Sequence, residues 1–311
     1  MLDNYVSMVS SWKPQNNEEA LLKHEMLIHY ICDQIPQTLS KYRAHDWNKG
    51  LPSENAPIWL CWLDGSNDMP EVVSRCIKSV CDHSSGHPVR FIDYNNIGKY
   101  VCMPERIAAL RDEGALNLAH YCDVLRLMLL IEYGGLWVDA DTFVSRDIPE
   151  DYFSNPFTTA KNDLTDIPYK EKLRYVGNGN WHVSIIGCHK GNSLAGFMRD
   201  AILEALSNNI ELLSYFFLDY TFEIARRHFP QAASELSTGA VYNGRHRKFN
   251  SALRKALPGC EYKSLLLTDC VFNVLNWKNE YPCFTANGEA AVYSEFLNNP
   301  KADPEFLLSL R

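Results

Sequence analysis

The chain has 311 residues, of which 46% are hydrophobic and 22% are charged, enough for one large core with a helical annex. Its 38 acidic residues outnumber its 30 basic residues, giving a formal net charge of −8, which argues against a nucleic-acid partner. It contains no collagen-like, heptad or longer repeat, which excludes fibrous and solenoid folds.

Strands alternate with helices through the first two-thirds of the chain, the pattern of an α/β domain built on a sheet. A Pro/Gly/Asn-rich connector at 50–57 separates a helical N-terminal extension, 1–55, from the main domain, 56–311. Hydrophobic spacing predicts the following elements, in chain order. They are a helix or hairpin over 18–47 broken at Pro36, a strand at 58–63, a helix at 70–82, a strand at 89–93 and helices at 104–112 and 117–133.

A strand, an acidic turn and a second strand are predicted over 136–145, before a polar, turn-rich stretch at 151–180. Helices dominate the last third. The remaining predicted elements are a strand at 181–189, helices at 193–207, 210–229 and 245–257, and short strands near 264–267 and 271–275.

Membrane insertion and export are not expected. No basic region followed by an apolar stretch opens the sequence, so we predict no signal peptide. The longest apolar run, 124–138, is interrupted by Arg126, Glu132 and two glycines, and is too short and too charged to cross a bilayer. The ten cysteines form no CxxC pair and are expected to be reduced thiols of a cytoplasmic protein.

The helix predicted at 117–133 is apolar on nearly all sides, which indicates that it is buried. Asp123 and Arg126 are embedded in it three residues apart and therefore share one face. Because a buried charge needs a partner or a ligand, the two residues form either a structural pair or the wall of a polar binding pocket. Spacing alone leaves both interpretations open.

An acidic pair follows the next strand. The apolar residues 136–138 run directly into Asp139 and Asp141, and ligands of α/β sheets bind at the carboxyl ends of strands. Two carboxylates at this spacing on an extended segment point to one side and repel each other, which favours a divalent cation carrying a phosphate between them. Gly134 and Gly135 permit the tight turn that brings Asp123 near Asp139.

Two other acidic motifs fail on inspection. A haloacid-type phosphatase requires Thr or Val four residues after its first Asp, and that position is Phe143. A calcium loop requires Gly at its sixth position, which is Val144, and a closing Glu that is missing.

The run CDVLRLMLLIEYGGLWVDADTF resembles the DxD sugar-nucleotide glycosyltransferases. It is most similar to the capsular polysaccharide synthesis branch of glycosyltransferase family 32, whose clan includes the yeast Och1-type mannosyltransferases and, more distantly, the clostridial glucosylating toxins. The segment PIWLCWLDGSNDMPEVVSRCIKSV resembles the opening strand and helix of that family. The resemblance covers residues 57–155 well, 180–230 loosely and the ends hardly at all.

The resemblance implies an α/β GT-A fold, a Rossmann-like nucleotide-sugar-binding sheet flanked by helices. On it, 56–155 is the nucleotide-sugar-binding half and 156–311 the acceptor-side half. It also implies a UDP-sugar donor, Mn²⁺ or Mg²⁺, retention of anomeric configuration, and an oligosaccharide or lipid-linked glycan acceptor. The reaction is expected on the cytoplasmic side, and the protein could associate peripherally with the inner face of the membrane.

The resemblance also implies roles for individual residues. Four are expected to be catalytic: Asp123, Arg126, Asp139 and Asp141. Asp141 is the expected direct metal ligand, and Asp139 and Asn276 are the other metal ligands expected from the protein. The expected nucleotide-sugar-binding residues are Trp59, Trp62, Asp123, Arg126, Asp139, Asn180 and Trp277.

Two further features are weaker. Asp219, in an aromatic helix, either faces the acceptor or is a bonded core residue. The basic run 245–248 is typical of a solvated helix face, with an anionic acceptor or membrane surface as the alternative. Two other functions remain open for the whole chain: a glycosyltransferase-like domain that binds without turnover, and a toxin-like enzyme that glycosylates protein.

Overall fold

The computed structural model of the chain describes residues 8–9, 11–208, 214–257 and 270–311. Its first half contains α1 (Asn17–Gln34), α2 (Pro36–Arg43), β1 (Ile58–Cys61), α3 (Glu71–Asp82), β2 (Val89–Ile92), α4 (Ile97–Tyr100), α5 (Glu105–Asp112), α6 (Leu118–Tyr133), β3 (Gly135–Val138) and β4 (Thr142–Val144). Its second half contains α7 (Asp151–Ser154), β5 (Phe157–Lys161), α8 (Tyr169–Lys172), β6 (Ile185–Cys188), α9 (Ser193–Asn208), α10 (Phe217–His228), α11 (Pro230–Thr238), β7 (Ala240–Tyr242), α12 (Lys248–Ala252), β8 (Phe272–Val274), α13 (Val292–Phe296) and α14 (Pro304–Ser309).

The central sheet has six strands in the order β2-β1-β3-β6-β5-β7. Within it β6 runs antiparallel to both of its neighbours, and the other strands share one direction. A second sheet pairs β4 with β8 in antiparallel register. The predicted α/β class is confirmed, and this parallel-rich sheet flanked by helices is consistent with the GT-A-like fold that the resemblance implies.

Alternate residues of the central strands supply two separate cores, one on each face of the sheet, as the period of two requires. Trp59 and Trp137 pack with the helical core formed by α1, α2, α6, α9 and α10. Ile58 and Leu136 pack on the opposite face with α3, β4, β8 and the C-terminal helices. Since both faces are covered, the central strands β1, β3 and β6 are short, wholly apolar runs.

The N-terminal helical hairpin is confirmed. Asn16 caps α1 by accepting from the backbone N–H of Glu19, and Pro36 occupies the first turn of α2, where its missing N–H costs nothing. Leu27, Ile31 and Leu39 are buried in the same core as α9 and α10, so this extension shares its interior with the main domain.

The turn from α6 into β3 depends on Gly134 and Gly135. Both have positive φ angles, 72° and 99°. A Cβ atom on Gly135 would lie 2.1 Å from the carbonyl oxygen of Pro57, a distance that no side chain tolerates. The predicted tight helix-to-strand turn is therefore confirmed.

Several predicted elements differ from the structure. The turn-rich stretch contains β5, whose Thr158 and Thr159 are fully buried. The strand at 181–189 begins only at Ile185, and the basic helix shortens to α12. The short strand near 264–267 and the start of the helix at 210–229 lie outside the described residues, and the helix there begins at Phe217. Within the described residues, no helix is both long and apolar enough to span a membrane.

Candidate functional site

The acidic pair lies at the carboxyl end of β3, in the middle of the central sheet. Asp139 extends the β3–β6 ladder by donating its backbone N–H to Ser184 at 2.9 Å. Thr142 then donates to the carbonyl of Asp139 at 2.9 Å, which closes a tight turn over residues 140 and 141. The predicted strand, acidic turn and second strand are therefore confirmed. The two carboxylates do not lie on an extended segment, because the turn falls between them.

Arg126 links the buried helix α6 to this turn. Its Nη2 atom lies 3.2 Å from Asp139 Oδ1 and 3.5 Å from Asp123 Oδ1. Its Nη1 atom donates to the carbonyl of Val183, and its guanidinium carbon lies 5.1 Å from the Trp137 ring centroid. Burial disfavours the charge, but Asp139 and Asp123 outweigh it and raise the pKa of Arg126. Asp123 and Arg126 thus do more than pair with each other.

Asp123 and Asp139 are each held by a second group. His120 Nδ1 lies 3.5 Å from Asp123 Oδ2. The Trp137 indole N–H donates to Asp139 Oδ1 at 2.7 Å. The Trp137 hydrogen bond fixes the orientation of the Asp139 carboxylate before any ligand arrives, and His120 lies beside that of Asp123.

Asp141 contacts the segment that follows β8. Its carbonyl accepts from the backbone N–H of Leu275 at 3.0 Å, and its Oδ2 accepts from that of Trp277 at 3.4 Å. Burial and the neighbouring charge of Asp139 raise the pKa of Asp141 to about 7, while the Trp277 N–H acts in the opposite direction. The ionised form is disfavoured here, and a bound cation would relieve that cost.

Of the three predicted tryptophans, two lie together beside the acidic turn. The rings of Trp62 and Trp277 meet edge to face at 5.3 Å, and Trp277 is 40% exposed. Trp59 is only 1% exposed and donates its indole N–H to Gly134 at 2.9 Å. Because no ring face of Trp59 is open, Trp62 and Trp277 are the tryptophans that a ligand can reach.

The two predicted asparagines differ in position. Asn276 immediately precedes Trp277, and its Oδ1 accepts from the backbone N–H of Lys278 at 3.0 Å. Asn180 is exposed in the turn that leads to Trp181. The proposed roles of both stay predictions.

The donor atoms at the turn suit a hard divalent cation, since Asp139 and Asp141 offer carboxylate oxygens. Within the described ranges, no group of three or more His, Cys, Asp or Glu side chains gathers to hold a metal. A cation here would therefore have two carboxylates from the protein and take its other ligands from Asn276, a bound phosphate or water.

Helix α10 contributes an acidic group that the sequence marked only weakly. Burial and the charge of Asp123 raise the pKa of Asp219 to about 7, and the Trp181 indole counteracts part of this rise. Tyr215, just before α10, is 69% exposed, and its pKa is raised first by partial burial and then by Asp123 and Asp139. Both residues therefore lie near the acidic site.

The prediction that the basic run at 245–248 forms a solvated helix face is wrong for its central residues. His246 is completely buried, and Arg247 is half-buried and close enough to Asp141 to lower the pKa of that carboxyl. Only Arg245 behaves as expected, being exposed and 3.2 Å from Asp166.

The family model of the capsular polysaccharide synthesis proteins matches residues 9–284. The chain belongs to this family. The match to this capsular polysaccharide synthesis family takes in every candidate site residue from Trp59 to Trp277. No curated protein matches the sequence.

Among solved structures, this chain is similar to a structure described as "PaToxG Glycosyltransferase". The identity is 14% and the TM-score 0.40, over 69% of this chain and 83% of the other.

Proposed function

We propose that this protein is a metal-dependent, retaining glycosyltransferase that moves one sugar from a UDP-sugar to a glycan acceptor. The observation that carries the proposal is the convergence of three elements on one point. Asp123 and Arg126 come from α6, Asp139 and Asp141 from the end of β3, and Trp277 from the segment after β8. Membership in the capsular polysaccharide synthesis family supports a glycan product.

The charges at this point suit a sugar diphosphate. Arg126 is a fixed, fully ionised cation that would form charge-assisted hydrogen bonds with the donor. Asp141 and Asp139 would hold Mn²⁺ or Mg²⁺, which when bound neutralises charge that grows on the leaving diphosphate. Asp123, beside His120, would accept hydrogen bonds from sugar hydroxyls.

The aromatic groups suit the neutral parts of the donor. Trp62 and Trp277 offer ring surface for the base or the sugar, and Trp277 is accessible. The acceptor, an oligosaccharide or a lipid-linked glycan, would approach from the side of α10, where Asp219 and Tyr215 lie.

A donor-hydrolysis screen tests the proposal. UDP- and GDP-sugars are incubated with the protein and Mn²⁺, and release of the nucleoside diphosphate is measured. We expect release from at least one UDP-sugar, abolished in Asp141→Asn and retained in the exposed-site control Asp112→Asn. Donor binding without release or transfer would favour the non-catalytic binding domain, and transfer to protein but not to glycan would favour the protein-modifying enzyme.

A further inference from the structure

A second basic group lies beside the acidic turn, on a segment distant in sequence. Strand β4, which begins directly after Asp141, pairs with β8 through Thr142 and Val274. The backbone N–H of Val274 in turn donates to the carbonyl of His246 at 3.0 Å. This ladder brings Arg247, the next residue, to the side of Asp141.

Two histidines flank this arginine. The rings of His182 and His246 meet edge to face with their centroids 4.8 Å apart. Burial and nearby arginine charge lower the pKa of His182 to about 3, and Arg247 and Arg126 are the arginines responsible. Burial, His182 and Arg247 lower the pKa of His246 to about 2. Both imidazoles are therefore neutral, and the guanidinium group is the cation of this basic cluster, which we define as His182, His246 and Arg247.

Three buried polar atoms of the basic cluster have no hydrogen-bond partner among the described residues. His246 is 0% exposed, yet neither of its ring nitrogens has a hydrogen-bond partner among the described residues. The Nε atom of Arg247 is likewise buried and unpartnered there. Such atoms are costly unless a ligand or water satisfies them.

The two arginines near the acidic turn differ in their charge balance. Arg126 is neutralised by Asp139 and Asp123. Arg247 forms no ion pair with a carboxylate in the part of the chain that the structure describes; it contacts the phenol of Tyr175 and acts at longer range on Asp141. One positive charge beside the turn is thus left for an anionic ligand.

We infer that Arg247 binds the diphosphate of the nucleotide donor, with His182 beside it and the acidic turn as the opposite wall. This inference rests on the proposed function and names the group that anchors its leaving diphosphate. Guanidinium binds phosphate oxygens in a bidentate fashion, and a neutral imidazole can donate one N–H to the same group. His182 lies near both arginines, since the charges of Arg247 and Arg126 both act on its imidazole.

The matched pair Arg247→Gln and Arg245→Gln tests the inference. Both changes remove one arginine from the same segment, but Arg245 is exposed and paired with Asp166. Binding of UDP and of GDP in Mn²⁺ is measured by calorimetry on the full chain, with melting curves to confirm folding. We expect the UDP dissociation constant of Arg247→Gln to rise about tenfold to a hundredfold, and that of Arg245→Gln to stay within about threefold.

A measurement on the unmodified protein covers the case in which Arg247→Gln does not fold. Phenylglyoxal modifies arginine side chains, and peptide mass spectrometry reports each site. We expect UDP to protect Arg247 and to leave modification of Arg245 unchanged.

The outcomes separate the two levels of the proposal. If the wild-type protein binds neither nucleoside diphosphate, the proposed function fails and this inference fails with it. If the wild type binds UDP but a folded Arg247→Gln binds it equally well, or UDP does not protect Arg247, only the assignment of Arg247 is overturned. An equal loss in Arg245→Gln would also overturn it, since the effect would then be one of net charge.

Discussion

Arg126 and Asp139 form the ion pair that joins helix α6 to the acidic turn, with Nη2 and Oδ1 3.2 Å apart. The same oxygen accepts the Trp137 indole N–H at 2.7 Å. The carboxylate is therefore held from two sides, and the guanidinium is held by Asp139, Asp123 and the Val183 carbonyl. Elements that are separate in the fold thus share one polar network at the end of β3.

Replacing Arg126 by Lys should break this network while keeping the charge. A single ammonium cannot reproduce the forked contacts to Asp139 and the Val183 carbonyl, so donor binding should weaken. In a thermal-shift assay, UDP-sugar with Mn²⁺ should raise the melting temperature of Arg126→Lys far less than that of the wild type. Arg199→Lys, which alters a partly exposed pair with Asp200, is the control. Normal donor protection of Arg126→Lys would mean that the pair is structural.

Asp141→Asn should not destabilise the metal-free protein. The pKa of Asp141 is raised in the folded state to about 7 but is ordinary in the unfolded chain. Stability is therefore lost as the pH rises from the acidic range through about 7, because the folded site resists ionisation. Asn removes this loss with almost the same shape. Apo Asp141→Asn should melt at or above the wild-type temperature at pH 8, with the advantage shrinking at pH 5.

Melting curves with EDTA at the two pH values check this expectation. Asp112→Asn, at an exposed position on α5, should show no such gain. A clearly destabilised Asp141→Asn protein at pH 8 would identify Asp141 as a structural turn residue.

Asp219→Asn should share this pH effect but not the metal effect. Its pKa is also raised to about 7, by burial and by Asp123, so its ionisation likewise lowers stability above neutral pH. We therefore expect a gain in melting temperature at pH 8 that is lost toward pH 5. Added Mn²⁺ should stabilise Asp219→Asn as much as the wild type and Asp141→Asn much less. Equal loss of the Mn²⁺ response in both variants would place Asp219 in the metal site.

Two tryptophan substitutions should separate binding from packing. Trp277 is exposed, so Trp277→Ala should leave the melting temperature nearly unchanged and raise the KM for the donor. Trp59 packs against Tyr100 and Tyr133 in the core, so Trp59→Ala should cost about 3–5 kcal/mol of unfolding free energy. Donor kinetics and denaturant curves on both variants test this. A destabilised Trp277→Ala with unchanged KM would show that Trp277 serves packing alone.

The sequence predicted those features that depend on local pattern. Helix α6 is apolar on nearly all sides and is followed by two glycines with positive φ, and both features can be recognised in the sequence. Strand β5 was not predicted because its interior positions are Thr158 and Thr159. These residues are buried, but their polarity is typical of a loop. Their β-branched side chains were the available sign of a strand.

The surroundings of Arg247 could not be predicted in this way. By spacing, the run at 245–248 looks like a charged helix face. The burial of this run depends on β8, which pairs with β4 about 130 residues away in sequence. Val274 of β8 donates its backbone N–H to the carbonyl of His246 and so holds the run against the sheet. Trp59 and Trp62 are likewise similar in sequence context. In the structure their environments differ, because β1 ends at Cys61. Trp59 lies within the strand, whereas Trp62 follows it.

The most direct test of the account is release of UDP from its preferred UDP-sugar, measured for the wild type and Asp141→Asn in Mn²⁺ and in excess EDTA. We predict turnover with Mn²⁺ at least as fast as with Mg²⁺, none in EDTA, and a loss of about 100-fold or more in Asp141→Asn at saturating Mn²⁺. Full turnover in EDTA, or a near-normal rate for Asp141→Asn, would contradict a metal-dependent glycosyl transfer centred on the acidic turn.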